Sequence, residues 1–131
     1  MNNKFHKNKK VTLSNGTEGI LNCFLVEPFI AHEANQEYYL SFRSDGLDDI
    51  VAMSAAGGVD IMANWDKVTE VRIPIETDSE EARTIIESHA PSDVENRESF
   101  GRFAALAFNF FKECHFSYFE MNPFVMQDTS I

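Results

Sequence analysis

His115-Phe116-Ser117-Tyr118-Phe119-Glu120-Met121-Asn122-Pro123-Phe124 is the stretch on which the fold turns. Its alternating, aromatic-rich first half fits a half-buried strand. Phe116, Tyr118, Glu120 and Asn122 would then face one way and Ser117, Phe119 and Met121 the other. Pro123 has no backbone N–H to give to a sheet, so pairing is expected to stop or become irregular there. A carboxylate and an amide carbonyl then stand together at the strand's exit. Two such oxygens on a rigid strand suit a hard cation such as Mg²⁺, which takes few protein ligands and completes its shell with phosphate and water. Taken alone, the same residues also fit a solvated carboxylate before an ordinary turn.

Working back from this strand, the spacing predicts a principal helix from about Val94 to Cys114. Phe100, Phe103, Ala104, Ala107, Phe110, Phe111 and Cys114 recur at three- and four-residue steps, a stripe read as core packing. A shorter helix over Ser79 to Glu87 is expected, capped by Asp78, with Glu80 and Glu81 complementing its N-terminal dipole. Val68 to Ile75 reads as a strand and Asn64-Trp65-Asp66-Lys67 as one helical turn. Glu37 to Ser44 and Asp49 to Ser54 form a hairpin around Asp45-Gly46-Leu47-Asp48. Ile20 to Ile30 is an apolar, strand-like run interrupted at Glu27-Pro28, and Val11 to Leu13 is a short strand before the turn signal Ser14-Asn15-Gly16. Several strands followed by late helices predict an α+β domain, its mainly antiparallel sheet packed against one long and one short helix.

With 131 residues, 44% of them hydrophobic, the chain suits one compact domain over 11–131, preceded by a flexible basic arm, 1–10, that carries Lys4, Lys7, Lys9 and Lys10. Twelve phenylalanines make an aromatic core plausible. A net charge of −10 argues against a partner that is nucleic acid, because tracking phosphates requires a basic surface. No apolar run approaches the roughly 18–20 residues of a membrane span, so no membrane partner is expected. Cys23 and Cys114 lack metal-ligand or CxxC spacing, which favours a reduced, cytoplasmic setting. Gly57-Gly58 permits unusual backbone angles but has no Walker lysine beside it. His32 and His89 read as structural or surface positions, having no nucleophile or ligand partner nearby in sequence.

Taken together, Phe24-Leu25-Val26-Glu27-Pro28-Phe29-Ile30, His32, Glu37-Tyr38-Tyr39, Gly57-Gly58-Val59-Asp60, Asn64-Trp65-Asp66-Lys67-Val68 and Phe119-Glu120-Met121-Asn122-Pro123-Phe124 resemble the ATP-citrate lyase family in order and spacing. The resemblance runs from about Gly19 to Met126 and implies the carboxyl-terminal lobe of an ATP-grasp domain. It implies a parent enzyme that uses ATP, Mg²⁺ and CoA to cleave citrate to acetyl-CoA and oxaloacetate. Glu27, Pro28, Phe29 and Ile30 would line the adenine, with main-chain groups of Glu27 and Ile30 reading its edge. Glu37 would bind the ribose hydroxyls, Asn122 would ligate Mg²⁺, and Glu120 would stand beside the metal and the phosphoryl-transfer site.

The family's preceding lobe, with a phosphate-binding lysine, and a second metal-binding aspartate past Ile131 have no counterpart in these residues. The resemblance therefore implies a segment inactive alone, dependent on the remaining domains or subunits of a parent enzyme and open to self-association through apolar surface. Ala56 stands where relatives carry glutamate. Two other readings remain at this point: a fragment of a succinyl-CoA synthetase-like acid:CoA ligase, and a non-catalytic interaction domain that keeps the fold.

Overall fold

The computed structural model describes residues 8–26, 28–58 and 61–127. The chain divides into two compact units, Met1–Ala31 and His32–Ile131. In the first, β1 (Lys9–Thr12) pairs antiparallel with β2 (Glu18–Leu21), Lys9 opposite Leu21 and Thr12 opposite Glu18. Asn15 closes the intervening turn by accepting the Thr17 N–H at 3.0 Å. Among the described residues, the strand expected over Ile20 to Ile30 is not found beyond Leu21. A strand persists only where a partner satisfies its backbone, and β1 is already used by the four pairs from Lys9 to Thr12. Beyond Leu21 the described backbone is irregular, with Leu25, Val26 and Phe29 exposed.

The second unit is built on a four-stranded antiparallel sheet in the order β5-β4-β3-β6. Its strands are β3 (Tyr38–Asp45), β4 (Asp48–Ser54), β5 (Thr69–Pro74) and β6 (Tyr118–Phe124). The β3–β4 hairpin closes through Gly46-Leu47, which sets Asp45 opposite Asp48. Arg72 of β5 answers that repulsion, its guanidinium lying 3.1 Å from Asp45 and 3.4 Å from Asp48. The fold is α+β with a mainly antiparallel sheet, as the order of strands and late helices requires.

The helices α1 (Ser79–Ser88) and α2 (Arg97–Glu113) cover one face. Asp78 caps α1 by accepting the Glu80 and Glu81 N–H groups at 3.0 and 2.9 Å. Helix α2 starts at Arg97 rather than Val94 because Asn96 takes the capping role, accepting the Ser99 N–H at 3.1 Å. Arg97 then reaches back to the Ala90 and Ser88 carbonyls, each at 2.7 Å, joining the end of α1 to the start of α2. Leu40, Phe42, Val51, Met53, Ile73, Ile86, Phe100 and Phe111 fill the space between sheet and helices. Phe42 stands 5.6 Å from Phe111 and 6.0 Å from Phe119, ring centre to ring centre. Truncating such a buried ring costs about 3–5 kcal/mol.

The core stripe of α2 departs from its expected membership. Phe103, Phe110 and Cys114 are exposed, while Gly101, Ala105 and Phe108 are buried. The cause is α1: a Cβ at Gly101 would lie 3.1 Å from Glu87 Cα. The buried arc of α2 therefore turns to meet α1 as well as the sheet.

The end of α2 also moves the start of β6. His115 adopts φ +54, its N–H donates to Lys112 O at 3.1 Å, and the Phe116 N–H donates to Phe111 O at 3.2 Å. This is a Schellman closure, and the Phe116 ring packs 5.7 Å from Phe110 as that closure favours. Phe116 thus belongs to the helix cap and stacks on Phe119 at 5.6 Å, not with Tyr118 and Glu120 as the alternation suggested. The sheet's other face carries Tyr39, Ala52, Ile61 and Val68, with Trp65 of the short Ile61–Lys67 helical segment against Tyr39 at 6.0 Å.

Candidate functional site

Exposure alternates along β6 from Tyr118 to Asn122. Phe119 and Met121 pack toward the helices, which places Tyr118, Glu120 and Asn122 on the opposite face. At the exit the register jumps from Leu40 opposite Met121 to Tyr38 opposite Phe124, so Asn122 and Pro123 together oppose Tyr39. The Asn122-Pro123 bond is cis. Irregular pairing at Pro123 follows from its missing N–H, and the bulge sets Asn122 at the sheet's margin.

There Asn122 Oδ1 accepts the Gly58 N–H at 2.7 Å. The glycine pair follows β4, whose last residue, Ser54, accepts the Ala56 N–H on its hydroxyl at 3.1 Å. The chain then folds toward the start of β3, where the Gly57 N–H donates to Glu37 O at 2.7 Å. The two glycines are favoured for different reasons, backbone crowding at Gly57 and a left-handed backbone at Gly58. A Cβ on Gly57 would sit 2.4 Å from Tyr38 O, and Gly58 has φ +87, with its would-be Cβ 2.6 Å from Glu37 Oε2. The turn that meets Asn122 thus also meets the Glu37 carboxylate.

Glu37 has a further neighbour. His32 Nε2 lies 3.1 Å from Glu37 Oε1, with the two side chains 17% and 31% exposed. On β6, the Tyr118 hydroxyl donates to Glu120 Oε2. That bond, with burial adding to it, holds the Tyr118 phenol well above its ordinary ionisation range. Tyr39 donates its own hydroxyl to Ser41 Oγ at 2.9 Å.

The second unit therefore brings together Glu37, Gly57, Gly58 and Asn122, with Glu120 on the Asn122 face. Pro28, Phe29 and Ile30 stand in irregular backbone of the first unit, and Glu27 lies outside the described residues, as do Val59, Asp60 and residues 1–7 of the basic arm. Among the described residues, no group of three or more His, Cys, Asp or Glu side chains forms a ready metal centre. The available donors are an amide oxygen that already accepts one N–H and a carboxylate that accepts one hydroxyl. Such a set fits Mg²⁺ as an open site completed by phosphate and water, not as a closed protein cage.

The sequence reading gave His32 a structural or surface place without its partner Glu37, and gave Gly58 little weight. The signal for His32 was local. Glu33 and Gln36 close the 3-10 turn Ala34–Gln36, with the Glu33 N–H donating to Gln36 Oε1 and the Gln36 N–H to Glu33 O, both at 2.9 Å. A closed turn of that length brings the residues flanking it together.

Residues 2–131 match the family model described as the ATP-citrate synthase ATP-grasp domain. The chain is 39% identical over 113 residues to ATP-citrate synthase alpha chain protein 3 of Arabidopsis thaliana, covering 86% of this chain and 26% of that one. It is 30% identical over 111 residues to ATP-citrate synthase of Mus musculus, covering 83% and 10%. Among solved structures, ATP citrate lyase from Methanothrix soehngenii, in complex with citrate and coenzyme A, matches with a TM-score of 0.70 and 26% identity, covering 93% of this chain and 27% of that one. A mutant of the Methanosaeta concilii ATP citrate lyase in complex with (3S)-citryl-CoA gives a TM-score of 0.71 at 26% identity, covering 94% and 27%. The chain spans about a quarter of the length of the plant alpha chains it matches.

Proposed function

The chain belongs to the ATP-citrate synthase ATP-grasp family, and from that premise we propose that it supplies the adenine, ribose and Mg²⁺ contacts of an ATP-driven citrate cleavage. The parent enzyme would form acetyl-CoA and oxaloacetate from citrate and CoA, both bound by its other domains or subunits. The observation that carries this reading is the bond from the Gly58 N–H to Asn122 Oδ1. Together with the Gly57 bond to Glu37 O, it ties a carboxylate suited to sugar hydroxyls to an amide suited to a cation.

Phosphoryl transfer depends on positioning and charge neutralisation, so donors and metal ligands are the equipment a protein must provide. When bound, Mg²⁺ would neutralise phosphate charge and orient the nucleotide. Asn122 would hold it through the remaining lone pair of Oδ1, and Glu120 would stand beside it with Tyr118 fixing one carboxylate oxygen. Glu37 would accept the ribose hydroxyls, while Glu27, Pro28, Phe29 and Ile30 would line the adenine. The segment alone would bind without turning over. Self-association through the exposed Phe103, Leu106 and Phe110 and a cytoplasmic setting, in which Cys23 and Cys114 stay reduced, belong to the same proposal.

The test is calorimetric titration of MgATP into the 131-residue chain and into its Glu37→Ala and Asn122→Ala variants. Each variant is expected to bind about tenfold more weakly, the loss of one charge-assisted contact. Equal affinity for all three, or no binding by the unaltered chain, would overturn the proposal.

A further inference from the structure

His32 and Glu37 flank the short turn Ala34–Gln36, which is closed by its own backbone and by the Gln36 side chain. That closure sets the imidazole Nε2 3.1 Å from Glu37 Oε1, in a half-buried pair. The carboxylate's other oxygen, Oε2, lies against Gly58, in space where any Cβ would intrude. The main chain of Glu37 is fixed in turn by the Gly57 N–H. A glutamate restrained at its backbone and at one carboxylate oxygen has a more defined orientation than a free one, which samples many rotamers.

We propose that His32 is a positioning residue for the sugar contact. Its ring N–H takes one acceptor site of Oε1 and presents the remaining lone pairs of the Glu37 carboxylate to a pair of vicinal hydroxyl donors. This inference rests on the nucleotide reading above and adds to it a residue that touches no ligand. Gly58, lacking a Cβ, leaves room for the other carboxylate oxygen, and the consecutive Gly57 and Gly58 N–H groups give the Glu37 main chain and the Asn122 side chain one support.

The experiment compares MgATP with Mg 2′,3′-dideoxy-ATP on the unaltered 131-residue chain and on Glu37→Ala, His32→Ala and His32→Gln. The unaltered chain should favour ATP about tenfold, and Glu37→Ala should abolish that ratio. His32→Ala should remove most of it while binding the dideoxy nucleotide as before. His32→Gln, whose amide N–H can also donate, should restore it. In two-bond ¹H–¹⁵N spectra without nucleotide, the ring should carry its proton on Nε2, and Glu37→Ala should change that signal. If the unaltered chain shows no preference for ATP, the nucleotide reading falls and this inference with it. If it shows the preference and His32→Ala retains it, or if the Nε2 signal ignores Glu37→Ala, only the positioning role falls.

Discussion

Gly58 donates its N–H to Asn122 Oδ1 across 64 positions of sequence, at 2.7 Å. The bond joins the turn after β4 to the bulged exit of β6, so the side chain proposed to meet a cation is also a structural acceptor. Asn122→Ala would leave that N–H without its partner and should cost about 1–2 kcal/mol in urea unfolding. Asn122→Asp keeps an acceptor oxygen and should lose less stability while binding Mg²⁺ at least as well. Equal stability of the two variants would show that the bond contributes nothing.

The two glycines of that turn should respond differently to alanine. At Gly57 the added methyl meets the Tyr38 carbonyl, backbone that cannot yield, and unfolding measurements should show a loss of about 3 kcal/mol. At Gly58 it meets the end of the flexible Glu37 side chain at φ +87. Gly58→Ala should cost about 1–2 kcal/mol and displace the carboxylate, which would appear as lost discrimination between ATP and its dideoxy analogue.

Asp49 is 2% exposed. It is satisfied by the Ser44 hydroxyl at 2.9 Å and by the Lys112 ammonium. Removing the cation alone strands a buried carboxylate, so Lys112→Met should destabilise by about 2–3 kcal/mol. Adding Asp49→Asn to Lys112→Met should recover part of that loss. A urea-unfolding double-mutant cycle measures the coupling.

The hydrogen bond that Tyr118 donates to Glu120 raises the phenol's ionisation above its ordinary range. The protonated phenol is therefore the form that folding favours. Its contribution should be fully present below the unfolded-state value of about 10 and should disappear as pH climbs through the higher folded value. Unfolding midpoints from pH 9 upward should fall more steeply for the unaltered chain than for Tyr118→Phe, with no difference in slope near neutrality.

The hairpin, the capped α1 and the α+β class were legible in the sequence because turn, capping and order signals agree there. Phe103 and Phe110 were misplaced because periodicity gives the angular width of an apolar stripe but not which neighbour turns it. Gly101 lying against Glu87 decided that. The run from Asn22 onward carried strand propensity without a strand to pair with. Glu120 and Asn122 could be set on one face from alternation alone. Their supports could not, since Gly58 and Asn122 meet only in the folded chain, and His32 depends on a turn too short to register as a helix.

The left-handed residue His115 passes the chain from α2 into β6 with only Phe116 and Ser117 between it and Tyr118. The rings of Phe111 and Phe119 grip Phe42 on either side of that passage. Glu120 directly follows Phe119 and pairs opposite Ser41, so its place is set by this aromatic cluster together with the sheet. Interior substitutions at Phe42 or Phe111 should therefore be felt at a carboxylate they never touch.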